Sequence, residues 1–184
     1  GLAGLIVCSI FANEGLPNVP DGFLEQAVAL VHDAGGLVIA DEVQAGFGRT
    51  GEMWGYELQG FVPDIVTMGK PMGNGYPIAA LVSRAELLDA FRERVFYFNT
   101  FAGASVGTAA ANAVLDVIEQ QGLRENARKV GDHIRAGFAA QAERHPIIYE
   151  IRGACLWVGI ELVRDRSSRE PASEETRRLV NLLR

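Results

Sequence analysis

Two side chains that could do chemistry follow apolar stretches of the sequence, where strands of a sheet would end. Asp41 follows LVIA, and Lys70 follows DIVTMG and precedes a glycine-rich turn. The chain has 15 arginines but only two lysines, Lys70 and Lys129, which suggests that an amine is needed at Lys70. An arginine stays protonated, whereas a partly desolvated lysine amine can lose its proton and attack an aldehyde. Lys70 is therefore a candidate for Schiff-base chemistry.

Asp41 suits a second part of that chemistry. A carboxylate beside the pyridine nitrogen of pyridoxal phosphate (PLP) keeps the ring protonated and electron-withdrawing. Ligands of open parallel sheets bind at the carboxyl ends of strands, so Asp41 and Lys70 would face one crevice. The residue types alone leave a plainer alternative open, in which Lys70 is a solvated loop lysine and Asp41 an ordinary acid at a strand end. Spacing does not decide between the two.

The elements that position these residues follow a strand-helix-strand order. Residues 3–11 form an apolar run typical of a buried strand, and a helical repeat in GFLEQAVALVHDA leads to a second apolar strand, Leu37–Asp41. Strands at residues 64–68 and 78–83 lie too close together for a crossover helix, which predicts antiparallel pairing. We therefore predict an α/β fold with a mixed, mostly parallel sheet covered by helices.

The rest of the chain divides into helices and a smaller region. Ser83 and Glu86 predict a capping box for a short helix, and longer helical patterns cover residues 103–121 and 123–144. Two short strands and a helix opened by Ser173 come after them. We assign residues 1–122 to part of a large domain, 123–145 to a connecting helix and 146–184 to the start of a smaller α+β C-terminal domain. Because the chain opens on an apolar run and closes within a helical pattern, we expect it to be a fragment of a longer fold.

The composition argues against several classes of function. The net charge is −6 and the sequence lacks basic clusters, so nucleic acid is not an expected partner. The apolar runs are shorter than the roughly 18 to 20 residues that span a bilayer, and no leader pattern precedes them, so we expect neither a membrane segment nor a signal peptide. Cys8 and Cys155 lie far apart in apolar stretches, which predicts buried free thiols and a cytoplasmic location. The histidines lack metal-ligand spacing, and no metal site is predicted.

Three stretches resemble class III aminotransferases, which are PLP-dependent enzymes of fold type I: IADEVQAGFGRTG, VPDIVTMGKPMGNGYPIAALV and FNTFAG. The resemblance implies that Lys70 forms the internal aldimine with PLP and that Asp41 pairs with the pyridine nitrogen. It also implies that Val43 packs against the ring face and that Gln44 reaches the ring hydroxyl. Thr100 would contact the phosphate of the cofactor held by a neighbouring subunit, which implies a homodimer.

Other residues of these stretches receive structural interpretations. Glu42 is expected to point away from the cofactor. Gly73 and Gly75 are assigned to tight turns beside it. For Arg49 a structural ion pair is favoured over a substrate contact, and we assign it no role.

The activity expected from the resemblance is amino transfer from an amino acid or amine to a keto acid. TMGKPMGNGYP and HPIIYEIRGACLWVGIELVRD also resemble the branch with phospho-lyases acting on phosphorylated amino alcohols or hydroxylysine, which is an alternative. A non-catalytic, truncated module is a second alternative. Two departures bear on substrate choice: the family's usual Glu-x-x-Gln is Cys8 to Phe11 here, and its usual Gly-Asn-Pro is Gly103 to Ser105.

Overall fold

The computed structural model describes all 184 residues, which form a mixed α/β fold with two sheets. The strands are β1 (Gly4–Val7), β2 (Leu37–Asp41), β3 (Ile65–Met68), β4 (Ala80–Ser83), β5 (Ile148–Ala154), β6 (Trp157–Asp165) and β7 (Glu170–Pro171). The helices are α1 (Phe23–Asp33), α2 (Ala85–Arg94), α3 (Ser105–Gln120), α4 (Leu123–Ala142) and α5 (Ser173–Leu182), with a short 3-10 helix at Gly55–Gln59.

The first sheet has the order β1-β2-β3-β4. Strands β1, β2 and β3 are parallel, and β4 pairs antiparallel with β3, with Val66 opposite Val82. The predicted mixed sheet and its antiparallel pair are confirmed. In this arrangement β2 and β3 end side by side, so the residues that follow them share one edge.

Apolar side chains of β1, β2 and α1 form the main core of this sheet. Val38 and Ala40 of β2 are fully buried, and one face of α1 packs against them through Leu24 and Val28. Helix α1 begins after Gly22 and ends before Gly35, and both glycines have positive φ angles, which glycine adopts at little cost where the chain enters or leaves a helix. The core therefore packs β2 against α1 as far as Ala40, the residue before Asp41.

A second apolar cluster joins the sheet to α3. Met68, the last residue of β3, packs with Phe47 and with Ile118 of α3. The ring of Phe47 meets that of Trp54 edge to face at 5.3 Å. This cluster supports the segment of chain that leads from β3 into Lys70.

The second sheet has the order β5-β6-β7, and all of its strands are antiparallel. A bulge between Ile148 and Glu150 interrupts the pairing of β5 with β6. Helix α4 lies between the two sheets in sequence and packs against both α3 and β5. The domain limits at residues 122 and 145 stay predictions. No helix is long and apolar enough to cross a membrane.

Several local predictions need correction. The first strand ends at Val7, not at residue 11, because a turn begins at Cys8, whose carbonyl accepts the Phe11 amide at 2.9 Å. The capping box is wrong: Ser83 Oγ donates to the Asp64 carbonyl at 3.4 Å, and α2 has no side-chain cap. Cys8 and Cys155 are free, as predicted, but they are only partly buried.

Candidate active site

Asp41 is the last residue of β2 and lies opposite Thr67 of β3. Its side chain is half-buried, and its Oδ1 atom accepts the Val43 amide at 3.0 Å. This local bond fixes the direction of the carboxylate at the point where the strand turns. The other carboxylate oxygen takes part in no hydrogen bond within the chain, so it can accept one from a ligand.

Lys70 follows β3 on the neighbouring strand and is exposed. Its φ angle is +21°, a conformation that residues with a side chain rarely adopt and that occurs often at functional sites. The amine makes one hydrogen bond, donated to Gln44 Oε1 at 3.3 Å, and forms no ion pair. A lysine held without a carboxylate partner keeps its amine available for chemistry.

Gln44 connects Lys70 to a residue that the sequence did not single out. Gln44 Nε2 donates to Asn13 Oδ1 at 3.0 Å, and Asn13 lies in the loop between β1 and α1. The three side chains thus form one chain of hydrogen bonds along the edge of the sheet. Asn13 and Gln44 are 31 residues apart, and no local pattern in the sequence marks their contact.

Glu42 points away from this edge, as predicted, and is fully buried. Its carboxylate accepts the Gly55 amide at 2.7 Å and the Tyr56 amide at 3.0 Å, and Ser9 Oγ donates to it at 3.5 Å. We call Glu42, Ser9, Gly55 and Tyr56 the Glu42 support. Burial raises the pKa of the Glu42 carboxyl, because the loss of water outweighs these hydrogen bonds, which lower it.

The amino end of β3 is fixed by a second acid. Asp64 Oδ2 accepts the Val38 amide at 2.8 Å and contacts His32 Nε2 at 2.9 Å, while Arg84 lies 3.1 Å from Oδ1. Partial burial raises the pKa of Asp64, but the Val38 amide, His32 and Arg84 together bring it below its usual value. Asp64 thus ties β3 to β2, α1 and the start of α2.

Val43 and Thr100 are placed differently from the other predicted site residues. Val43 is half-buried in the turn between Asp41 and Gln44. Thr100 lies in the exposed segment between α2 and α3 and makes no hydrogen bond within the chain. The structure therefore brings together Asp41, Val43, Gln44 and Lys70, but it does not bring Thr100 to them.

The flanking loops account for the remaining residues of the motifs. A side chain at Gly73 would collide with the Tyr76 carbonyl, and Gly75 has a φ of +105°, as tight turns require. Arg49 forms no ion pair; its guanidinium stacks on the Trp157 ring at 4.8 Å. The structural ion pair favoured for Arg49 is therefore wrong, and its contact is with an aromatic ring on β6.

The edge combines an amine, a carboxylate and an amide on the ends of two adjacent parallel strands of an α/β fold. This donor set suits an enzyme that binds an aldehyde cofactor through lysine. The sequence profile described as "Aminotransferase class-III" matches residues 1–181. The chain belongs to the class III aminotransferase family.

The relatives agree with this assignment. The chain is 45% identical over 183 residues to the mitochondrial alanine–glyoxylate aminotransferase 2 homolog 2 of Arabidopsis thaliana and 42% identical over 186 residues to an alanine–glyoxylate aminotransferase 2-like protein of Drosophila melanogaster. The matches cover 100% of the chain but only 38% of either relative. The chain thus spans well under half the length of these relatives.

Solved structures show the same fold. A phospholyase from Arthrobacter, in complex with phosphoethanolamine, is 46% identical with a TM-score of 0.88, and the match covers 94% of this chain and 41% of the other. A taurine:2-oxoglutarate aminotransferase from Bifidobacterium kashiwanohense, in complex with PLP and glutamate, is 27% identical with a TM-score of 0.83. That match covers 90% of this chain and 38% of the other.

Proposed function

We propose that the protein is a PLP-dependent aminotransferase in which Lys70 binds the cofactor. The observation that carries this proposal is the hydrogen bond between Lys70 and Gln44 at the sheet edge that also holds Asp41. The residues present fit PLP because each offers the partner that one part of its ring needs: an amine for the aldehyde, a carboxylate for the ring nitrogen and an amide for the ring hydroxyl.

The roles of the chain's own residues follow from their types. Asp41, oriented by the Val43 amide, would bind the ring nitrogen through its free oxygen and keep it protonated. Val43 would pack against the ring face, and Gln44 would bind the ring hydroxyl. Lys70 would hold the aldehyde carbon and, once released by the substrate, carry the proton between substrate and cofactor. When bound, PLP supplies a ring that withdraws electrons from the reacting carbon of the substrate.

We propose in addition that the protein is a homodimer with its sites shared between subunits. The proposal is supported by the segment that contains Thr100, in which Phe96, Phe98 and Phe101 are 93%, 74% and 82% exposed. An apolar surface of this kind is typical of an interface. Thr100 would then contact the cofactor phosphate of the second subunit. Sedimentation velocity should give a dimer, and Phe98→Ser should shift it toward monomer; a monomeric wild-type chain would contradict the proposal.

The proposed substrates are an amino acid or amine and a keto acid. The names of the relatives make alanine and glyoxylate the first pair to assay. The departure at Cys8, where the family usually has glutamate, removes a carboxylate from the strand end and bears on which donor is accepted.

A phospho-lyase is the second candidate, and it is supported by the similarity to the Arthrobacter phospholyase. In both reactions Lys70, once released by the substrate, would remove a proton from it, and the reactions differ in whether phosphate then leaves. Phosphate release from phosphoethanolamine without a keto acid would decide for the lyase. Amino transfer that needs a keto acid, with no phosphate released, would decide for the aminotransferase.

A non-catalytic module is the third candidate, and one experiment separates it from both enzymes. The purified 184-residue chain is incubated with PLP, reduced with borohydride and digested for mass mapping. We expect the label on Lys70 and none on Lys129, which lies exposed on α4 and pairs with Glu125. A chain without label on Lys70 would contradict the enzyme proposal.

We also propose a cytoplasmic location, which is supported by the two free cysteines. Cell fractionation tests it, and recovery of the protein in an organelle or in the medium would contradict it.

A further inference from the structure

Asn13, Gln44 and Lys70 form a chain of hydrogen bonds whose direction can be determined. Lys70 Nζ donates to Gln44 Oε1 at 3.3 Å, and Gln44 Nε2 donates to Asn13 Oδ1 at 3.0 Å. Gln44 therefore presents its amide oxygen to the Lys70 nitrogen, which is the end of the amide that can accept a hydrogen bond. The amide nitrogen of Gln44 then faces Asn13, which must offer its own oxygen.

Asn13 matters because the two ends of an amide differ in charge. Without an acceptor at residue 13, the Gln44 amide loses one of the two hydrogen bonds that fix its orientation, and it can then rotate and direct its NH₂ group toward the sheet edge. An oxygen there favours positive charge on the Lys70 nitrogen, whereas an NH₂ group there favours negative charge on the ring hydroxyl of a bound cofactor. The orientation of one amide therefore changes the electrostatics of the site.

We infer that Asn13 is a positioning residue, which holds Gln44 with its oxygen toward Lys70. The inference rests on the proposed PLP function but concerns a residue outside the D-E-V-Q and G-K motifs. Asn13 acts through Gln44, from a loop that also brings Ser9 to Glu42.

The loop contains a matched control. Asn18 lies in the same connection between β1 and α1 and is exposed like Asn13, and its amide donates to Glu150 Oε1 at 2.6 Å. Asn18→Ala thus removes an exposed asparagine hydrogen bond of the same loop without touching Gln44.

The first experiment titrates the visible absorption of the PLP-saturated 184-residue chain with pH. Asn13→Ala should move the midpoint to lower pH by about half to one unit, because an oxygen that favours the protonated form is no longer held in place. Asn13→Asp keeps the acceptor and should give a midpoint equal to or above that of the wild type. Asn18→Ala should match the wild type. A wild-type midpoint in Asn13→Ala, or an equal shift in Asn18→Ala, would overturn the inference.

The second experiment needs no cofactor, so the two proposals can fail separately. The side-chain amide resonances of Gln44 are followed by NMR in the chain without PLP. Asn13→Ala should move the Gln44 resonances toward the chemical shifts of a free amide. Asn13→Asp and Asn18→Ala should leave the resonances away from those free-amide values. Gln44 resonances that are unchanged in Asn13→Ala would overturn the positioning role of Asn13, whether or not the chain binds PLP. A wild-type chain that binds no PLP at Lys70 would instead contradict the proposed function.

Discussion

The exposed edge of the sheet and the Glu42 support directly behind it differ in almost every physical property. At the edge, Lys70 is exposed, Asp41 and Gln44 are half-buried, and each has hydrogen-bonding capacity left over. In the support, Glu42 and Ser9 are fully buried, and both oxygens of the Glu42 carboxylate are occupied. Adjacent residues of one D-E pair thus face opposite environments.

This difference separates two tasks. Groups that meet a ligand must keep free donors and acceptors, and such groups gain little stability from the protein. The positions of these groups must therefore be fixed by neighbouring residues whose own hydrogen bonds are all made within the protein. Supporting residues orient a site in this way. Changes at the edge should alter binding and chemistry and leave stability unchanged, whereas changes in the support should reduce stability first.

The largest effect is expected from Lys70→Ala, which removes the amine but no buried contact. PLP absorption that borohydride can reduce should disappear, and amino transfer should fall by about 10⁴-fold, while the thermal midpoint stays the same. Lys129→Ala is the matched control because it removes the other lysine, and it should retain both signals. Labelling and activity that survive in Lys70→Ala would disprove the assignment of Lys70.

Asp41→Asn should have the next largest effect, because it removes charge without removing the hydrogen-bond acceptor for the Val43 amide. We expect amino transfer to fall by about 10²–10⁴-fold, as for other groups that manage protons in a reaction. Stability should change little. Steady-state kinetics and urea unfolding test this, with Asp116→Asn on the exposed surface of α3 as the control. A large loss of stability in Asp41→Asn would show that Asp41 belongs to the support.

Glu42→Ala, in contrast to the substitutions at the edge, should first reduce the stability of the fold. It leaves the Gly55 and Tyr56 amides without an acceptor in a buried place, which costs about 2–5 kcal/mol of the free energy of unfolding. Urea unfolding measures the loss. A variant as stable as the wild type would contradict the view that these bonds stabilise the fold.

Because the pKa of Glu42 is raised in the folded chain, the contribution of Glu42 to the free energy of unfolding depends on pH. The folded chain holds this proton more tightly than the unfolded chain, so the contribution is complete below the ordinary value of 4.5 and declines as pH rises through the raised value. Glu42→Gln lacks this titration, so the wild type should lose stability relative to it with rising pH. The lowered pKa of Asp64 works in the other direction, with stability present above 3.8 and lost as pH falls through its lowered value.

The edge could be predicted from the sequence far better than the support. Asp41 and Lys70 each follow an apolar run, and the end of a buried strand can be read from such a run alone. The partners of Glu42 lie 33, 13 and 14 residues away, and they meet it only because a turn after β1 and the 3-10 helix fold over the end of β2. Loop geometry of this kind has no periodic signal. The capping box failed for a related reason, since Ser83 Oγ donates to the carbonyl of Asp64, just before β3, and Arg84 takes the N-cap position of α2.

The smallest of these effects is expected from Gly55→Ala, and it tests whether the support and the edge are coupled. A methyl group at residue 55 would collide with Ser9 Oγ and lie 2.5 Å from Ala45 Cβ, so we expect a loss of about 1–3 kcal/mol. Gly137→Ala is the control, because that position within α4 is open on every side and alanine there should add about 0.5–1 kcal/mol. If the Glu42 carboxylate transmits the displacement of Gly55 to the end of β2, PLP affinity should fall in Gly55→Ala and stay constant in Gly137→Ala. Affinity that stays constant in both variants would mean that the edge is held by the sheet alone and that the support stabilises the fold without orienting the site.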